Sequence, residues 1–133
     1  MIELKKMPLV YVAGPYRSKT EHGVRKNIQA ASDVALTLWQ DGFAAICPHK
    51  NTEGWGGAGG MPDSVWLDGD LVMLSRCDAI VMLDSYTESQ GAVVEHRYAI
   101  DAGIPVFYQI KRMASMVILD SRGTPINKHF KML

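Results

Sequence analysis

Four short apolar runs recur along this chain with longer segments of helical periodicity between them, and that alternation limits the fold more than any other feature. The runs cover residues 9–13, 43–47, 78–83 and 104–108, and their length and β-branched content suit buried strands. From about residue 21 to 41, Val24, Ile28, Ala31, Val34, Ala35, Leu38 and Trp39 recur at helical spacing, and Gly42 stands where a C-terminal cap belongs. A second helix is predicted over 65–76, carrying Trp66, Leu67, Leu71 and Leu74, with Asp63 or Ser64 as its cap; a third runs over 89–102, closed by Gly103. The stretch 116–119, followed by a turn at 120–123, reads as an added strand. Apolar strand alternating with amphipathic helix implies a parallel sheet with right-handed crossovers. The expected fold class is therefore α/β, a three-layer open sandwich on a mainly parallel, flavodoxin- or Rossmann-like sheet of about five strands.

At 133 residues the chain fits one domain, 1–133, long enough to bury a core without disulfides. A glycine-rich loop at about 51–62 interrupts it, with five glycines among residues 51–60 and Trp55 placed among them to stack on a base. Trp39 and Trp66, at helical spacing, read as core. No apolar run approaches the roughly 20 residues that span a bilayer, and the basic N-terminus leads into too few apolar positions for a secretory signal. The expected location is the cytoplasm. Fourteen basic residues balance fourteen acidic ones, so no global field draws the chain to a nucleic-acid polymer. Cys47 and Cys77 lack the paired spacing of a disulfide framework or zinc site and read as buried thiols.

Ligands of such sheets bind beyond the carboxyl ends of the strands, which gathers the Gly14 turn, the Cys47-Pro48-His49 turn and the loop 84–91 onto one edge. The segment Gly14-Pro15-Tyr16-Arg17-Ser18-Lys19-Thr20 departs from a P-loop, because Ser18 stands where the glycine before the lysine is required. No G-x-G-x-x-G follows the first strand either. What remains is a turn whose glycine permits close backbone approach and whose Arg17 suits a phosphate, or else a tight turn with a solvated arginine. Ser89-Gln90-Gly91 opens a helix that can receive an anion, with Glu95 a turn further in. Asp70 precedes the third strand and Glu95 follows it, so both can converge beside the first strand. Each alone reads as a helix-surface charge; as a pair beside a sugar they suit glycosidic bond cleavage. Tyr11 lies within the first strand, as a core tyrosine or as a partner for that pair. His49 and His96 lack metalloenzyme spacing, and His49 reads as a possible substrate contact.

Taken together, Tyr11-Val12-Ala13-Gly14-Pro15-Tyr16-Arg17, then Asp70-Leu71, then Asp78-Ala79-Ile80-Val81, then Ser89-Gln90-Gly91 leading to Glu95, resemble the nucleoside 2-deoxyribosyltransferase superfamily. That superfamily includes a branch of 2'-deoxynucleoside 5'-monophosphate N-hydrolases and small phage and bacterial relatives. The resemblance implies Glu95 as nucleophile, Asp70 as the acid that helps the base depart, and Tyr11 as the hydroxyl that positions the nucleophile. It places Gly14, Arg17, Ser89 and Gly91 around the sugar 5' end; Pro15, Tyr16 and His49 are the further expected substrate contacts. The transferases of free nucleosides carry an aspartate at the position of Ser89; a serine there does not repel a phosphate, as in the hydrolases. Val93 stands where the hydrolases tend to have a glycine, and Pro15-Tyr16 replaces a smaller phosphate loop. The implied function is an N-glycosidase of a 2'-deoxynucleoside 5'-monophosphate without metal or organic cofactor; base exchange and non-catalytic nucleotide sensing are the alternatives. The implied partners are a small-molecule nucleotide or nucleoside and further copies of the chain, in a homodimer or larger homo-oligomer.

Overall fold

The computed structural model describes residues 1–55, 58–112 and 115–126, so Gly56 and Gly57 of the expected glycine-rich loop lie outside the described residues. Strand β1 (Leu9–Ala13) leads into helix α1 (Glu21–Gln40), strand β2 (Ala44–Ile46) and a short helix α2 (Pro48–Asn51). Helix α3 (Asp63–Leu74), strand β3 (Ala79–Met82) and helix α4 (Gln90–Ala102) follow, then strands β4 (Val106–Arg112), β5 (Ser115–Leu119) and β6 (Pro125–Ile126). The sheet order is β2-β1-β3-β4-β5-β6, with β1 to β4 mutually parallel and β5 and β6 antiparallel additions at one edge. This extends a flavodoxin-like order by one strand, giving six where about five were expected.

Strand alternation divides the core into two layers. Val10 and Val12 of β1 and Val81 of β3 face α1, where Ala31, Val34 and Leu38 cover them. Tyr11, Ala13, Ile80 and Met82 face the opposite side and pack with Leu74 of α3 and Ala92 and Ala99 of α4. Every residue of β3 is buried, as expected of a central parallel strand covered on both faces. Gly103 ends α4 in the left-handed region at φ 73°, the role its position suggested.

The first helix ends as expected at Gly42, which follows the last half-helical residue, Asp41, at φ 92° while the Phe43 amide bonds back to the Leu38 carbonyl. Several other expectations are corrected. Neither Asp63 nor Ser64 caps α3: Pro62 occupies that position without a side-chain bond, and Asp63 is the first helical residue. Trp39 is 55% exposed rather than core, because the buried face of α1 is completed by Leu38. Cys47 is half-buried, while Cys77 is buried as expected. The second strand is shorter than 43–47 because Pro48 already begins α2. The fourth begins later than 104 and runs on to Arg112, drawn out by its antiparallel pairing with β5. Among the described residues no helix is long and apolar enough to cross a membrane.

Candidate active site

A cleft of about 380 Å³ opens at the carboxyl ends of β1, β2 and β3, a size suited to a small organic ligand. It lies where β1 separates the crossovers to β2 and β3, the switch point at which open α/β sheets bind ligands. Its walls come from the segment after β1, from α2, from the first half of α3 and from the start of α4.

At its floor the Tyr11 hydroxyl, projecting from β1, donates a hydrogen bond to Oε2 of Glu95 on α4. Both side chains are buried, Tyr11 fully and Glu95 to 7% exposure. A carboxylate so enclosed costs desolvation energy; burial pushes Glu95 up from 4.5 to about 7, against an opposing pull from the Tyr11 bond and with a smaller push from the negative charge of Asp70. Burial likewise raises half-buried Asp70 from 3.8 to about 6. Burial first, then the neighbouring Glu95, drives the Tyr11 phenol far above its usual range, so it stays protonated and donates. Two carboxyl groups raised toward neutrality in one cleft offer what a nucleophile and an acid working together require.

The rim beside β1 depends on two close fits. A Cβ on Gly14 would lie 2.8 Å from that of Leu83, so only glycine lets the exits of β1 and β3 run this close. Asn27 of α1 donates through Nδ2 to the carbonyls of Tyr16 and Arg17, 3.1 Å each, fixing the loop from behind. Arg17 reaches Asp63 at the start of α3, and both line the cleft. Ser89 caps α4, its Oγ accepting from the Ala92 amide at 3.1 Å, and Gln90 and Gly91 line the cleft beside it. Gly91 has open space where a side chain would stand, the nearest atom being Ser89 Oγ at 3.9 Å.

His49, on α2, is 6% exposed and lines the cleft from the β2 side. Its Nε2 lies 2.8 Å from the carbonyl oxygen of Pro15, which can only accept, so Nε2 carries the proton. Nδ1 then presents a bare lone pair, and this buried atom has no hydrogen-bond partner among the described residues. Burial lowers the His49 pKa, with the carbonyls of Pro15 and Gly14 opposing, which favours the neutral ring. Tyr16 tilts against it with ring centroids 5.6 Å apart.

Of the residues singled out from sequence, Tyr11, Gly14, Tyr16, Arg17, His49, Asp70, Ser89, Gly91 and Glu95 all line the cleft. Pro15 does not line it and contributes instead the carbonyl that orients His49. Trp55 is 54% exposed and away from the lining, while Trp66, expected in the core, is half-buried and forms part of the wall. Val93, the departure in the α4 segment, points to the exposed surface and leaves the cleft unobstructed; Val94 lines it. Sequence reasoning missed Asp63, Asn27 and Thr52. It also missed Gln109, a buried residue of β4 whose Oε1 accepts from the Asp84 amide and so ties the exit of β3. For Asn27 and Gln109 the available signal was a polar residue on the inward face of an otherwise apolar element.

No curated relative matches the chain in sequence. Among solved structures, the chain superposes on a 2-deoxyribosyltransferase from the psychrotolerant bacterium Bacillus psychrosaccharolyticus with a TM-score of 0.58 at 18% identity, covering 75% of this chain and 70% of that one. At that identity the likeness speaks for the fold. Residues 8–108 match the family described as a domain of unknown function, DUF4406, a span that takes in every side chain named in the cleft. The chain therefore belongs to the family described as a domain of unknown function, DUF4406, and shares the fold of a 2-deoxyribosyltransferase.

Proposed function

We propose that this protein hydrolyses the base–sugar bond of a 2'-deoxynucleoside 5'-monophosphate. The observation that carries the reading is the buried Glu95 carboxyl, held by the Tyr11 hydroxyl and paired electrostatically with Asp70 inside one cleft. A Glu95 oxygen bonds to C1' as the C1'–N bond breaks, and the departing base takes the bonding electrons and a proton from Asp70. The step requires ionised Glu95 and protonated Asp70, and positive charge developing on the sugar favours the ionised Glu95. Water then attacks C1', returning a proton to Asp70 and freeing Glu95 and 2-deoxyribose 5-phosphate. Tyr11 aims the carboxylate and offsets part of its desolvation.

The α4 entry, where Gln90 and Gly91 present first-turn backbone, and Arg17 across from it form the 5' end of the site. From there the cleft runs past Glu95 and Asp70 toward β2, where His49 Nδ1 offers an acceptor to an N–H of the base. Residues 1–133 act as one domain, and at least two copies assemble.

Chromatographic screening of the common deoxynucleoside monophosphates tests the reading. Free base appears with wild type, and Glu95→Gln lowers the rate by about 10³-fold or more. Absence of base from every substrate rejects hydrolysis. The second reading, base exchange, draws support from the 2-deoxyribosyltransferase fold. Adding a free base then yields an exchanged nucleotide in preference to the free sugar phosphate.

A further inference from the structure

Arg17 is the lone arginine or lysine lining the cleft among the described residues, whereas Asp63, Asp70 and Glu95 all line it. That single cation is already engaged: Nη2 of Arg17 donates to Oδ1 of Asp63, joining the loop after β1 to the first residue of α3. The two side chains are 73% and 69% exposed, so the pair sits in water at the mouth of the cleft and contributes little to folding. Its loss is cheap on both sides. The loop backbone under Arg17 is fixed by Asn27, leaving the guanidinium free to swing, and Asp63 lies in the first turn of α3, where unpaired amides favour a carboxylate without Arg17. A dianionic phosphate, with two oxygens for the guanidinium fork, is the stronger partner.

We propose that Asp63 is a specificity-determining residue: it holds Arg17 until a ligand binds and surrenders it to the 5'-phosphate of that ligand. The proposal rests on the monophosphate reading above. A ligand bearing a 5'-hydroxyl meets a neutralised ion pair and gains nothing from Arg17. One bearing a phosphate must displace a carboxylate first, so Asp63 tempers affinity for sugar phosphates, including the product.

Calorimetric titration with 2-deoxyribose 5-phosphate, the product common to every base, tests this without knowledge of the base; 2-deoxyribose is the unphosphorylated control. Asp63→Asn is expected to tighten 2-deoxyribose 5-phosphate about two- to fivefold, the range set by an exposed ion pair, with the gain shrinking as salt is raised. Asp63→Glu restores the wild-type value, Arg17→Gln weakens binding, and in the Arg17→Gln background Asp63→Asn gives no gain. Wild-type binding with an unchanged or weaker Asp63→Asn affinity, or a gain that survives loss of Arg17, overturns the exchange and leaves the monophosphate reading standing. If neither wild type nor Asp63→Asn binds the sugar phosphate, the monophosphate reading falls and the exchange with it.

Discussion

Glu95 is held in a state that costs the fold stability. Its value in the native protein, about 7, lies above the ordinary 4.5, so between those values the native state keeps a proton that the unfolded chain releases. Stability from this group is therefore fully present below about 4.5 and is lost as pH rises through about 7. Glu95→Gln keeps an acceptor for the Tyr11 hydroxyl and removes the titration. It is expected to stabilise the protein by roughly 3 kcal/mol above neutrality and by a small fraction of that near 4.5. Urea unfolding at both ends of that range checks it; an equal difference at each would contradict the linkage. Asp70 acts in the same direction with less effect, since solvent reaches it. That Glu95, Asp70 and Tyr11 can meet followed from the order of the elements, while residue type alone left each of them a surface charge or core tyrosine and only the family resemblance singled them out. The tautomer of His49 and the pairing of Asp63 were not legible, because each depends on a partner tens of positions away, Pro15 and Arg17.

Helix α4 places its own capping residue in the wall of the cleft. Ser89 caps the helix through its Oγ while its neighbours line the cleft, and aspartate is as good a cap as serine. Ser89→Asp is therefore expected to leave the melting temperature nearly unchanged while lowering kcat/KM for a monophosphate at least about tenfold relative to the matching nucleoside, through charge repulsion at the 5' end. Equal effects on both substrates would place the 5' end elsewhere. The elements themselves were largely readable, because apolar spacing at 3.6 or in short runs reports which face is buried. Reading failed where tertiary contact decides: Trp39 fits the helical spacing of α1 yet lies at the edge of its buried stripe, and Trp66 fits that of α3 yet faces the cleft.

The order β2-β1-β3-β4 carries the turns after β1, β2 and β3 to one edge and lays α3 and α4 over them, so residues from 11 to 95 meet in a single cleft. The same two helices leave Val72, Val93 and Ile100 substantially exposed, apolar surface of the kind that an interface between copies would cover. Sedimentation is expected to give at least twice the 14.7 kDa chain mass, and paired Val72→Lys and Ile100→Lys substitutions to return the monomer; a monomeric wild type at tens of micromolar contradicts this. Strand and helix succession, the parallel sheet and the edge that binds ligand follow from local periodicity and chain handedness, which act through neighbours in sequence. The desolvation that raises Glu95 and the enclosure of His49 Nδ1 arise only when distant segments exclude water from one another, and the engagement of Arg17 by Asp63 only when packing brings their elements together.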